Sequence, residues 1–166
     1  MNPCTDSIEQ VTSAGRELKR VYLYPGQLFV SGEPALVTTI LGSCIAVCLW
    51  DSVSEIGGIN HYLLPLNPLR GQDDARYGST AIDQLVEQMT LRGAVTSRLV
   101  AKVVGGASIM SRFSDARLSI GEQNSGAARE ALDRLSIPIA AEQTGGRRGR
   151  KLLFHTGNGC AFSKEI

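Results

Sequence analysis

The sequence predicts an α+β domain of mixed β-sheets with helices outside, on three observations. Short runs rich in β-branched and aromatic residues recur along the chain, bounded by Gly and Pro. The early runs are joined by turns too short for a crossover helix, which favours antiparallel pairing. Two stretches carry apolar residues at helical spacing. The chain has 166 residues, of which 43% are hydrophobic. That is enough for one substantial core and not for two, so a single domain is expected over residues 20–166.

Met1 to Lys19 is polar and sparsely apolar, and is expected to be a mobile extension or one short helix. Val21-Tyr22-Leu23-Tyr24 and Gln27-Leu28-Phe29-Val30 read as strands with Pro25-Gly26 turning between them, and Gly32-Glu33-Pro34 turns again. Leu36 to Leu41 and Ile45 to Trp50 are two buried strands around a corner at Gly42-Ser43-Cys44. A further strand runs from Ile56 to Pro65, entered through Gly57-Gly58 and stopped by the proline. Asn67 to Tyr77 is almost devoid of apolar residues and reads as an exposed loop.

Thr80 offers an N-cap with Asp83 three residues on, and Ile82, Leu85, Val86 and Met89 give an amphipathic helix up to Gly93. Leu99 to Val104 is a strand ending at Gly105-Gly106-Ala107, where two glycines permit a close backbone approach. The chain is expected to turn at Gly121-Glu122-Gln123-Asn124, and Ala128, Ala131, Leu132 and Leu135 mark a second helix before Pro138. Ile137 to Ala141 is a short strand. The basic loop Gly145-Gly146-Arg147-Arg148-Gly149-Arg150-Lys151 precedes a terminal hairpin, Leu152 to His155 and Cys160 to Phe162, turned at Thr156-Gly157-Asn158-Gly159. The sum is about eight short strands and two principal helices.

Seventeen Lys and Arg against sixteen Asp and Glu leave a formal charge of +1. No electrostatic argument then points to nucleic acid or an anionic membrane. No apolar stretch approaches the roughly 20 residues of a membrane span, and the N-terminal segment lacks the basic start and apolar core of a signal peptide. A cytoplasmic protein with no membrane insertion is expected. Cys4, Cys44, Cys48 and Cys160 form no CxxC pair and suit free thiols in a reducing compartment. Zinc on Cys44, Cys48 and His61 would lack ordinary ligand spacing and a fourth ligand, so no metal or organic cofactor is expected.

The chemistry concentrates at Cys44. A cysteine in an apolar run is usually a small core residue. Here it follows Gly42 and Ser43 at a strand corner, where amide N–H groups fall outside any ladder. A nucleophile beside an oxyanion site needs this arrangement. A free thiol is mostly protonated at neutral pH, so it needs a base, which would draw its pKa down. His61 lies on the strand after the one leaving Cys44, where hairpin pairing brings the two together, whereas His155 in the terminal hairpin is the weaker candidate. Thr38, on the strand entering the corner, carries a hydroxyl suited to hold the other ring nitrogen of His61. Alternation sends Thr38 and Thr39 to opposite faces, so only one of them reaches it.

Leu41-Gly42-Ser43-Cys44-Ile45-Ala46-Val47-Cys48-Leu49, Gly57 to Pro65 and Ala101 to Ala107 resemble the CheD family, the chemoreceptor glutamine deamidases of bacterial chemotaxis. The resemblance continues through Arg76-Tyr77-Gly78, Ile120 to Asn124 and Gly145 to Arg150, and leaves Met1 to Lys19 outside. It implies two packed mixed β-sheets flanked by helices, a cysteine hydrolase fold similar to the catalytic domain of cytotoxic necrotizing factor. It also implies a triad of Cys44 as nucleophile, His61 as base and Thr38 as third member, with an oxyanion turn at Gly42 and Ser43. The implied reaction converts glutamines of methyl-accepting chemotaxis receptors to glutamate with release of ammonia, and the implied partners are those receptors and a CheC-type phosphatase. An amine acceptor in place of water, or peptide cleavage, would use the same dyad. The reading from a different class is a non-catalytic adaptor that binds receptors or the phosphatase with Cys44 buried.

Overall fold

A computed structural model of the chain describes residues 18–68, 73–108 and 118–166. The expected N-terminal extension falls outside them up to residue 17, as does part of the expected loop after Asn67. The order is β1 (Lys19–Tyr22), β2 (Leu28–Ser31), β3 (Ala35–Leu41), β4 (Ile45–Asp51), β5 (Ile56–Asn60), α1 (Gly78–Leu91), β6 (Leu99–Gly105), α2 (Ile120–Arg134), β7 (Ile139–Thr144), β8 (Arg150–His155) and β9 (Ala161–Glu165). Lys19 and Arg20 are already in β1.

The strands form two mixed sheets, one of four in the order β1-β3-β8-β9 and one of five in the order β2-β5-β4-β6-β7. β1 runs parallel to β3 and β6 parallel to β7, while the other pairs are antiparallel. Both helices pack on the five-stranded sheet, α1 over β2 and β5 and α2 over β4 and β6. The helices thus flank one sheet, and the layers run sheet, sheet, helices. The β-branched run of β4 is buried throughout its first five residues, as a central strand covered on both faces must be. Its Ile45, Val47 and Leu49 enter a core with Leu85, Met89, Ala128 and Leu132 of the helices. Ala46 and Cys48 face the other way, into a core between the sheets with Val37, Leu41, Ile59 and Phe154.

Three local expectations give way to structure. α1 starts at Gly78 behind an extended Tyr77 with no side-chain cap; Tyr77 bridges Leu64, and the Thr80 hydroxyl donates back to the carbonyls of Asp74 and Tyr77. Gly121 to Asn124 are not a turn but the first turns of α2, whose capping box pairs Ser119 with Glu122. Cys160 is disulfide-bonded, so the expectation of free thiols holds at Cys44 and Cys48 and fails at Cys160.

β3 and β4 are not a hairpin. They belong to different sheets, and Gly42 to Cys44 carry the chain from one to the other.

Candidate active site

The corner is fastened from below by the double glycine after β6. Gly106 N–H donates to the Cys44 carbonyl and Ala107 N–H to that of Gly42, both at 2.8 Å. Gly105 and Gly106 have φ of +121° and +65°, and a Cβ on Gly105 would collide with the Cys44 carbonyl oxygen. The close approach foreseen for this pair is therefore to the Gly42–Cys44 turn itself. The N–H groups of Ser43 and Cys44 donate to no other residue among those described.

Ile45 and Tyr62 pair by reciprocal backbone bonds, Ile45 N–H to the Tyr62 carbonyl at 3.1 Å and Tyr62 N–H to that of Ile45 at 2.9 Å. Cys48 pairs with Ile59 in the same register, so His61 lies opposite Ala46 and diagonal to Cys44. Ile45 and Tyr62 point to the helices. Cys44 and His61, each one residue away, point into the space between the sheets. The main chain of His61 is held by the β1–β2 turn, its N–H on the Gln27 carbonyl and its carbonyl accepting from Gly26 N–H.

The imidazole is 1% exposed, with its Nδ1 2.8 Å from Oγ1 of Thr39. The Thr39 hydroxyl donates its one proton to the Leu23 carbonyl at 2.8 Å, so toward His61 it accepts. Nδ1 then carries the hydrogen, and Nε2 keeps the lone pair. Nε2 is buried and has no hydrogen-bond partner among the described residues. Thr39, not Thr38, is thus the threonine beside His61. Val37, Thr39 and Leu41 alternate into the inter-sheet space while Thr38 faces away.

Burial drives the electrostatics. Desolvation pushes His61 down to about 4, partly offset by the Leu23 carbonyl. Desolvation also raises the Cys44 thiol above its ordinary value, against a smaller lowering by its own N–H. The resting pair is therefore a thiol and a neutral imidazole, where sequence reasoning expected a lowered thiol pKa. Cys44 is partly exposed and Cys48 buried, with the Cys48 thiol raised far more strongly by burial. His155 is engaged locally, its Nδ1 accepting from Gly157 N–H. No cluster of three or more His, Cys, Asp or Glu able to hold a metal occurs among the described residues.

A family model described as CheD chemotactic sensory transduction matches residues 63–165. A protein of Anaeromyxobacter dehalogenans named "Probable chemoreceptor glutamine deamidase CheD 1" is 46% identical over 93% of this chain and 90% of its own. The chain belongs to the CheD family. A Trichlorobacter lovleyi relative named "Probable chemoreceptor glutamine deamidase CheD" is 43% identical over 87% of this chain and 89% of its own. Among solved structures, the Neisseria meningitidis protein NMB0706, of family model DUF152, shares the fold with a TM-score of 0.51. It does so at 13% identity, over 78% of this chain and 65% of that one.

Sequence reasoning missed one residue at this site. Asn124 of α2 is fully buried, and its side-chain amide donates to the carbonyls of Ser43 and Leu63, each at 2.8 Å. The S-x-x-E signature at Ser119 to Glu122 would have set Asn124 on a helix.

Proposed function

We propose that this chain is a chemoreceptor glutamine deamidase that acts through Cys44, His61 and Thr39. The observation that carries the reading is the buried His61, with Nδ1 tied to Thr39 and Nε2 without a partner among the described residues, on the strand face it shares with Cys44. In the first half-reaction Nε2 takes the thiol proton as Sγ bonds to the side-chain carbonyl carbon of a receptor glutamine. The oxyanion accepts from the N–H groups of the Ser43–Cys44 turn. The imidazolium returns the proton to the departing nitrogen, the C–N bond breaks and ammonia leaves a thioester. In the second half-reaction His61 takes a proton from water as its oxygen attacks, the C–S bond breaks, and glutamate and the Cys44 thiol are restored.

A neutral resting pair suits this cycle, because the proton moves only when the carbonyl is in place. The imidazolium exists transiently, next to the Thr39 oxygen and the Leu23 carbonyl that favour it. On this reading the fold is a cysteine hydrolase fold akin to the catalytic domain of cytotoxic necrotizing factor. The catalytic unit is the domain after the N-terminal extension, and the protein works in the cytoplasm on receptor tails. A CheC-type phosphatase is its proposed regulatory partner. Incubation with a receptor cytoplasmic fragment tests the reading: wild type should release ammonia and convert defined glutamines to glutamate. Absence of both with folded protein would overturn it.

A further inference from the structure

The reciprocal backbone bonds of Ile45 and Tyr62 are the last rung of the β4–β5 ladder at the nucleophile end. Beyond it the strands part, and the N–H groups of Leu63 and Leu64 turn to the Arg76 carbonyl. Two carbonyls left by that parting, those of Ser43 and Leu63, are taken by the two hydrogens of one amide, Asn124 Nδ2. The helix turn bearing Asn124 is itself anchored, because the Tyr62 hydroxyl donates to the Asn124 carbonyl.

The Ser43 carbonyl and the Cys44 N–H belong to one peptide plane. In a trans peptide the two point in opposite directions, and no peptide bond among the described residues is cis. Asn124 draws the carbonyl toward α2, so the N–H is aimed away from the helix layer, to the side where Cys44 Sγ and His61 lie. The N–H of Cys44 lowers the pKa of its own thiol, as a donor on that side would.

Resting on the deamidase reading, we infer that Asn124 is a positioning residue that orients the oxyanion-binding N–H of Cys44 by pinning the Ser43–Cys44 peptide plane. Asparagine suits the place. A neutral NH2 serves two carbonyls at once, whereas an aspartate would set negative oxygen against both. The amide oxygen, Oδ1, is buried without a partner among the described residues. That is a cost a purely packing residue would not carry.

The role separates from general stability because alkylation of Cys44 by iodoacetamide forms no oxyanion, whereas deamidation does. Full-length wild type, Asn124→Asp, which is isosteric, and Asn124→Leu, which keeps the helix interface apolar, are compared for three quantities. These are kcat and KM on a receptor cytoplasmic fragment, and the rate of Cys44 alkylation across pH. Both variants should lose roughly 10–100-fold in kcat, somewhat less than deletion of an oxyanion donor. KM should change little, and alkylation of Asn124→Leu should slow far less than deamidation does, by no more than the thiol pKa rises when its own N–H turns away. If either variant folds and keeps near-normal kcat, or if alkylation of Asn124→Leu falls in step with deamidation, the inference is overturned. Inactive wild type would instead overturn the deamidase reading, and the inference with it.

Discussion

Replacing Thr39 with Val keeps the side-chain shape and deletes one hydroxyl. Two buried bonds go with it, the donation to the Leu23 carbonyl and the acceptance from His61 Nδ1–H, each 2.8 Å. With a neutral imidazole the second bond has a net value of about 1 kcal/mol, and with an imidazolium about 1.5–3 kcal/mol. His61 is neutral at rest and protonated as ammonia leaves. The difference, about 0.5–2 kcal/mol, falls on the barrier and slows kcat roughly two- to thirtyfold, about tenfold at its centre. Unpairing buried groups should also lower stability by about 2 kcal/mol. Ammonia release from a receptor fragment, measured beside denaturant melts, reads both. Thr39→Ser should restore most of the rate, and Thr38→Val should stay within about twofold of wild type, less than half a kcal/mol of barrier. A tenfold loss in Thr38→Val with Thr39→Val unaffected would refute the reasoning.

The depressed His61 pKa has a sign in both activity and stability. The unfolded chain takes up a proton near pH 6.5 and the folded chain only near 4, so stability should fall by about 3 kcal/mol as pH drops across that window. The acid limb of kcat/KM should lie near 4, and a limb near 6.5 would show that His61 is not the buried base. Cys44→Ala should abolish ammonia release and stay folded, whereas Cys48→Ala, which leaves a small cavity between the sheets, should cost stability and little activity. Gly105→Ala should push the Cys44 carbonyl off its Gly106 bond and reduce kcat more than the melting temperature; an unchanged kcat would show that the double glycine only packs.

The elements legible in the sequence were those whose burial is one-sided and local. Ile82, Leu85, Val86 and Met89 mark α1 because one helix face meets one sheet. The strand runs around Cys44 are legible because both faces of β4 are covered. Which sheet a strand joins was not legible, since nothing in Leu36 to Trp50 says that its halves separate into different layers. Which of Thr38 and Thr39 faces His61 was not legible either, because the face of β3 is set by its pairing with β1 and with the distant β8. Asn124 escaped because a buried asparagine is defined by the carbonyls it meets, and those lie 81 and 61 residues distant. Cys160 shows the same limit, since spacing alone does not reveal a disulfide.

The central claim is that Cys44 becomes acylated by a glutamine side chain with His61 as the base. Rapid acid quench of wild type mixed with a receptor peptide, followed by intact-mass and peptide mapping, tests it most directly. The account predicts an adduct on Cys44 with the mass of the peptide less ammonia, chased to free peptide carrying glutamate, and none in Cys44→Ala. His61→Asn should form the adduct at least 10²-fold more slowly, the lower bound for lost acid–base help. Glutamate formation with no adduct on Cys44, or with Cys44→Ala still active, would contradict the account.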